Sequence, residues 1–140
     1  MSSETARASP SMLGESKTMD GKLVVRIDLE NIELLPTQFV SADLVLEGTP
    51  EELAADIFSG SNGSLQLGVW ECTTYSEAAK PYGVDEFCLL LKGRVSFTDE
   101  LGNMDTFTAG DAYLVRKEFS GVFRVEEPTR KLFAIFECSE

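Results

Sequence analysis

From Ser64 to the end of the chain, apolar and polar residues alternate in short runs. Leu65–Cys72, Glu86–Leu91, Gly93–Thr98, Met104–Thr108, Ala112–Val115, Gly121–Val125 and Lys131–Phe136 each predict a short β-strand. Turn-forming stretches separate them: Ala78–Gly83, Asp99–Asn103, Ala109-Gly110-Asp111 and Glu126-Glu127-Pro128. In the hairpin loop after Asp99, Gly102 or Asn103 supplies the positive φ that the chain reversal needs. Many short strands at regular spacing predict an all-β barrel or sandwich.

The first part of the chain reads differently. Residues 1–21 are rich in Ser, Thr, Gly, Pro and Ala without hydrophobic period, which predicts a flexible tail, with the folded domain spanning 22–140. Leu23–Ile27 is strand-like, and Pro36 limits Ile32–Leu35 to a short edge element or turn. Thr49-Pro50-Glu51-Glu52 carries the signature of a helix start. Thr49 is placed to cap, Pro50 to begin the helix and Glu52 to complete a capping box, ahead of an apolar face of Leu53, Ala54, Ile57 and Phe58. One short helix is therefore expected there.

Two strands are apolar on both faces. Glu86, Cys88 and Leu90 oppose Phe87, Leu89 and Leu91; Lys131, Phe133 and Ile135 oppose Leu132, Ala134 and Phe136. A strand that buries both faces lies between the barrel interior and a further layer, either the N-terminal segment or a second copy of the chain. The expectation is a homodimer packed through its sheets.

Composition changes this picture in two places. Twelve Lys plus Arg against 24 Asp plus Glu leave a net charge of −12, which disfavours nucleic acid and anionic membrane surfaces as partners. No stretch has the length and apolarity of a membrane span, and the N-terminus lacks the apolar core of a signal peptide, so a cytoplasmic location is expected. The chain also contains no histidine. Histidine triads, histidine acid–base chemistry and imidazole metal sites are thereby excluded. Cys72, Cys88 and Cys138 form no CxxC pair, so they read as small core side chains rather than a disulfide or zinc framework.

The stretch from Gly68 to Phe136 resembles the cupin superfamily, most closely small single-domain cupins of the ureidoglycine aminohydrolase type. The matching residues are Gly68-Val69-Trp70-Glu71-Cys72, Asp85 through Val95, Phe107-Thr108-Ala109-Gly110-Asp111, Phe119 through Val125, and Arg130-Lys131. The resemblance implies a jelly-roll, double-stranded β-helix barrel, commonly dimeric, with a pocket at one mouth. Glu86 and Gly93 keep the glutamate-to-glycine spacing of the first cupin motif. The histidine positions of that motif fall on Lys80 and Tyr82, or on Ala79 and Pro81. In the second motif, which begins at Gly110, Gly121 stands at the histidine position, and Arg116 and Glu118 replace proline and glycine. One of four usual metal ligands remains, so no metal or other cofactor is expected.

The candidate site follows from these positions. A carboxylate inside an apolar barrel must be protonated, paired or hydrogen-bonded. Glu86 is either the polar anchor of a ligand pocket and a general acid or base, or a structural group neutralised by Lys131, Lys80 or an arginine. Lys131 is a strand lysine with apolar neighbours, expected to face Glu86. Tyr82 and Cys88 are expected to line the pocket, with Trp70 and Phe123 in the core. Three functions remain open: a metal-independent barrel binding a small polar metabolite, an enzyme acting on a small amino or ureido acid, or a non-catalytic interaction protein.

Overall fold

The computed structural model describes residues 22–137. The tail assigned to residues 1–21 and the core role assigned to Cys138 lie outside the described residues. Nine strands form one curled antiparallel sheet: β1 (Leu35–Thr37), β2 (Val45–Gly48), β3 (Glu52–Gly60), β4 (Leu65–Cys72), β5 (Tyr75–Ala79), β6 (Asp85–Asp99), β7 (Met104–Thr108), β8 (Ala112–Val115) and β9 (Gly121–Phe136). Along the sheet the order is β1-β3-β4-β9-β5-β2, while β6 pairs with β7, β8 and β9. This is the jelly-roll barrel that the resemblance implies, and it is one of the two architectures that the strand pattern allows.

Two long strands hold the barrel together. The first half of β9 pairs with β5 and with the second half of β6; its second half lies between β4 and the first half of β6. The sequence reads β6 as two strands because Gly93 interrupts its apolar run. Gly93 adopts φ +94°, and a Cβ there would lie 2.4 Å from the Pro128 carbonyl oxygen. Register irregularities between Leu90 and Val95 mark the same corner, where both strands bend without breaking.

The expected helix is absent. Residues 52–60 form β3, and the described residues contain only two three-residue 3-10 turns, Ala42–Leu44 and Ser61–Gly63. The cause is a bulge between Asp56 and Phe58, which shifts the alternation by one residue. Ala54 and Ile57 therefore both face the core, three positions apart, and imitate a helical face. Glu52 does not cap a helix either, since its carboxylate is used inside the barrel. Leu23–Ile27 forms no strand: it finds no pairing partner, and Leu23 and Val24 are exposed. The sequence pattern missed β2 and β5; β5 overlaps the start of the stretch Ala78–Gly83, which reads as a turn.

The interior is apolar and closely packed around Trp70, Leu90, Val95, Phe123, Val125, Phe133 and Ile135. Part of the second layer comes from the N-terminal segment. Residues 25–33 run beside Ala55–Ile57, and Arg130 Nη2 donates to the Leu29 carbonyl at 2.8 Å.

Candidate functional site

Strand alternation sends Glu86, Cys88 and Leu90 of β6 and Lys131, Phe133 and Ile135 of β9 into the barrel. Lys131 lies opposite Leu90 in the ladder, and Glu86 lies opposite Ile135, so the two charged side chains lean toward one another along the axis. Lys131 Nζ ends 3.2 Å from Glu86 Oε2, with both side chains fully buried. The approach is an ion pair without the alignment of a hydrogen bond. Above the ammonium lie the rings of Trp70 at 4.8 Å and Phe123 at 5.6 Å, both suited to hold a cation by their π faces. The other carboxylate oxygen, Oε1, accepts a short hydrogen bond from the Tyr82 hydroxyl.

The loop that carries Tyr82 is locked to the loop after β8. Tyr82 N donates to Phe119 O at 2.7 Å, and Gly83 N donates to Lys117 O at 2.9 Å. Asp85 reinforces the junction, accepting from Lys117 N at 2.8 Å and from Arg116 Nε at 3.1 Å. Burial works to raise the Asp85 pKa, but the Lys117 N–H and the Arg116 guanidinium outweigh it and hold the carboxyl below its ordinary value.

Tyr113 of β8 lies opposite Cys88. Its hydroxyl is buried with no oxygen or nitrogen partner and bonds to the Cys88 thiol. Burial above all, with Cys88, Glu86 and Tyr82 nearby, pushes the phenol pKa well above 10.0, so it remains a neutral O–H group at ordinary pH. Tyr113 also forms the inner wall of a cleft of about 290 Å³, whose other walls include Phe97, Phe107 and Phe119, with Asp99, Asp105 and Arg116 at the rim. The polar centre thus has two shells: Glu86, Lys131, Tyr82 and Cys88 within the packed interior, and Tyr113 between them and the cleft.

All four side chains singled out from the sequence come together, but none of them lines the cleft. The pairing of Glu86 with Lys131 is the one expected, and Lys80 is exposed. Trp70 and Phe123 are core residues. Two contributors had no separating signal in the sequence. Tyr113 is one of several strand aromatics, and Gln66 reads as an ordinary strand residue; its side chain is fully buried in the row of Ile135 and Glu86, with Oε1 unpartnered.

The resemblance to cupins implies a divalent metal, and these residues do not suit one. Glu86 already faces an ammonium at 3.2 Å, a fixed positive charge that would repel a second cation. Among the described residues no three Cys, Asp or Glu side chains lie close enough together to hold a metal ion.

The profile of the EutQ-like cupin domain matches residues 59–133, more than half of the chain. The chain belongs to this cupin family. No curated protein matches it. Among solved structures, a protein of unknown function from Pseudomonas syringae pv. tomato, of the DUF861 family, is 24% identical with a TM-score of 0.72. The match covers 78% of this chain but only 46% of that one, so this cupin spans less than half of its neighbour. The EutQ protein of Clostridium difficile is 15% identical, with a TM-score of 0.59 over 84% of this chain and 90% of the other. A cupin superfamily protein from Desulfitobacterium hafniense is 14% identical, with a TM-score of 0.53 over 81% of this chain and 100% of the other. At these identities the likeness establishes the cupin fold. Among the described residues no helix is long and apolar enough to cross a membrane.

Proposed function

We propose that this cupin is a metal-independent binding barrel for a small polar metabolite. The observation that carries the reading is Tyr113: its ring forms the inner wall of an open cleft, and its buried hydroxyl has no oxygen or nitrogen partner and bonds to the Cys88 thiol. A thiol is a weak hydrogen-bonding partner, so the hydroxyl keeps capacity that a ligand entering beside the ring could use. Behind it, Glu86 anchors Tyr82 and Lys131, and the Lys131 ammonium provides a built-in cation. Cys88 fills the space between Glu86 and Tyr113.

A thermal-shift screen of small metabolites, paired with elemental analysis of the purified protein, tests this. A ligand that raises Tm in the wild type and not in Tyr113→Phe supports it. Stoichiometric transition metal, or no shift from any compound, overturns it.

A second reading rests on the run of exchangeable protons from Tyr82 through Glu86 to Lys131. It makes the barrel an enzyme related to ureidoglycine aminohydrolases, with Glu86 as general acid or base toward a small amino or ureido acid. Ammonia release by the wild type, lost in Glu86→Gln, would select it.

The outer face supports an assembly role as well. Phe58, Leu67, Ala134, Phe87 and Leu114 form one uncharged row across β3, β4, β9, β6 and β8. Phe58, Phe87 and Leu114 are exposed. Five strands at a spacing of about 4.8 Å make a strip roughly 20 Å wide. Leu65 with Phe136 and Leu89 with Leu132 extend it on either side. With a polar rim, that approaches the roughly 800 Å² per partner of a stable interface. In a chain of net charge −12, a charge-free strip is where a second copy can approach without repulsion. The occupant inferred is therefore a second copy of this chain. Sedimentation velocity should show a dimer that Phe87→Asp with Leu114→Asp converts to monomer; a monomeric wild type at micromolar concentration overturns it.

A further inference from the structure

We propose that the cleft selects an organic cation, an ammonium group on an apolar or aromatic body. The inference rests on the binding reading above and names the class of ligand. At the cleft Phe97 is steeply inclined to its three neighbours, while Phe107 and Tyr113 stack on one another at 4.5 Å and 21°. Phe97 meets Tyr113 at 5.3 Å and 64°, Phe119 at 5.6 Å and 84°, and Phe107 at 6.3 Å and 67°. Inclined rings offer faces as well as edges, and an aromatic face carries the negative side of its quadrupole. A cation with an apolar body gains from both properties of such a wall, its charge against the faces and its carbon surface against the rings.

The charged groups at the rim agree. Arg116 is already committed to Asp85 at 3.1 Å. Asp99 and Asp105 remain as the uncompensated charges beside the rings. Asp99 accepts from Leu101 N and from Asn103 N and Nδ2, donors that close the hairpin. These bonds, those from Asn103 first, hold its carboxyl below the ordinary value and so keep it ionised. An anionic ligand would meet two carboxylates with no free guanidinium to offset them. Tyr113 closes the inner wall with its ring, while its buried hydroxyl lies beside Cys88, so the floor that meets the ligand is aromatic. The acidic surface of the whole chain steers cations toward the mouth and anions away from it.

The test uses three probes of similar shape: 2-phenylethylamine, the neutral 2-phenylethanol and the anionic 3-phenylpropionate. Each is titrated into the full-length protein by calorimetry near neutral pH and low salt. The amine should bind saturably and roughly tenfold more tightly than the alcohol, with the carboxylate weakest. Asp105→Asn, an exposed substitution, should weaken amine binding by about fivefold, and added salt should do the same. Phe107→Leu should weaken it through the ring wall. Carboxylate binding as tight as the amine overturns the inference, and so does amine binding indifferent to both substitutions. If none of the three probes binds while another metabolite raises Tm through Tyr113, the cation inference falls and the binding barrel stands. If no compound binds at all, both fall.

Discussion

Three glutamates are buried in this barrel, Glu52, Glu77 and Glu86, and the first and last are held in opposite ways. Glu52 accepts three fixed N–H donors: Phe39 N, Val40 N and the Trp70 indole, each at 3.0 Å. Two of these belong to the chain entering the barrel, so Glu52 pins residues 39–40 to β3 and β4. Glu86 instead engages two side chains, a phenol and an ammonium. Trp70 joins the two sites, giving its N–H to Glu52 and its ring face to Lys131. The difference teaches what burial alone does not: a carboxylate bound by backbone amides has its hydrogen-bonding capacity fixed by the fold. One bound by side chains depends on groups that can themselves change rotamer.

The contrast breaks first at Lys131. Lys131→Met strands Glu86 in the core and should cost about 3–5 kcal/mol by urea denaturation. Adding Glu86→Leu should restore most of that loss, because a hydrophobic pair can replace a buried ion pair. A double variant no more stable than the single one would show that the pair is not the reason for the loss.

Glu52→Gln keeps the shape but removes the charge that three N–H donors share. The expected cost is about 2–3 kcal/mol, on the scale of hydrogen bonds to an ionised group. Glu86→Gln should destabilise less if Glu86 is the adaptable site. A larger loss at Glu86 than at Glu52 would invert the comparison.

Asp85, next to Glu86 but outside the barrel, sets a surface scale. Its pKa lies below the ordinary value in the folded state, so its contribution is present above the unfolded pKa and is lost as pH falls through the folded one. Asp85→Asn should therefore flatten part of the loss of stability below about pH 4, by under about 1 kcal/mol, in melts across acid pH. The smallest effect belongs to Tyr113→Phe. Removing a hydroxyl whose partner is the weakly bonding Cys88 thiol should leave stability within about 1 kcal/mol of the wild type, while the proposed ligand binding is lost. A large destabilisation would mean that the hydroxyl has a stronger structural role than that contact.

Much of the barrel was legible because β4, β7 and β8 alternate cleanly and end at turn residues; their bounds match those read from the pattern. The inward set of Glu86, Cys88, Leu90, Lys131, Phe133 and Ile135 follows from the same alternation. The apparent helix at Thr49 shows where such reading stops. Its four supporting residues are compatible with a capped helix, and only the pairing of β3 with β4, bulged at Asp56, turns Glu52 inward. Tyr113 was obscured for a related reason. Nothing in its own strand distinguishes a phenol at the wall of a cleft from one packed in the core.

Periodicity along the chain by itself determined an all-β barrel or sandwich, and composition denied it an imidazole metal site. Alternation also determined which side chains of each strand face inward, because successive Cβ atoms point to opposite faces whatever the strand pairs with. Tertiary structure decided which of those inward groups meet. Register, bulges and the corner at Gly93 bring Lys131 to Glu86, Trp70 to Glu52 and Tyr113 to the cleft. These are contacts between residues far apart in the chain, set by how whole strands pack and not by any local pattern.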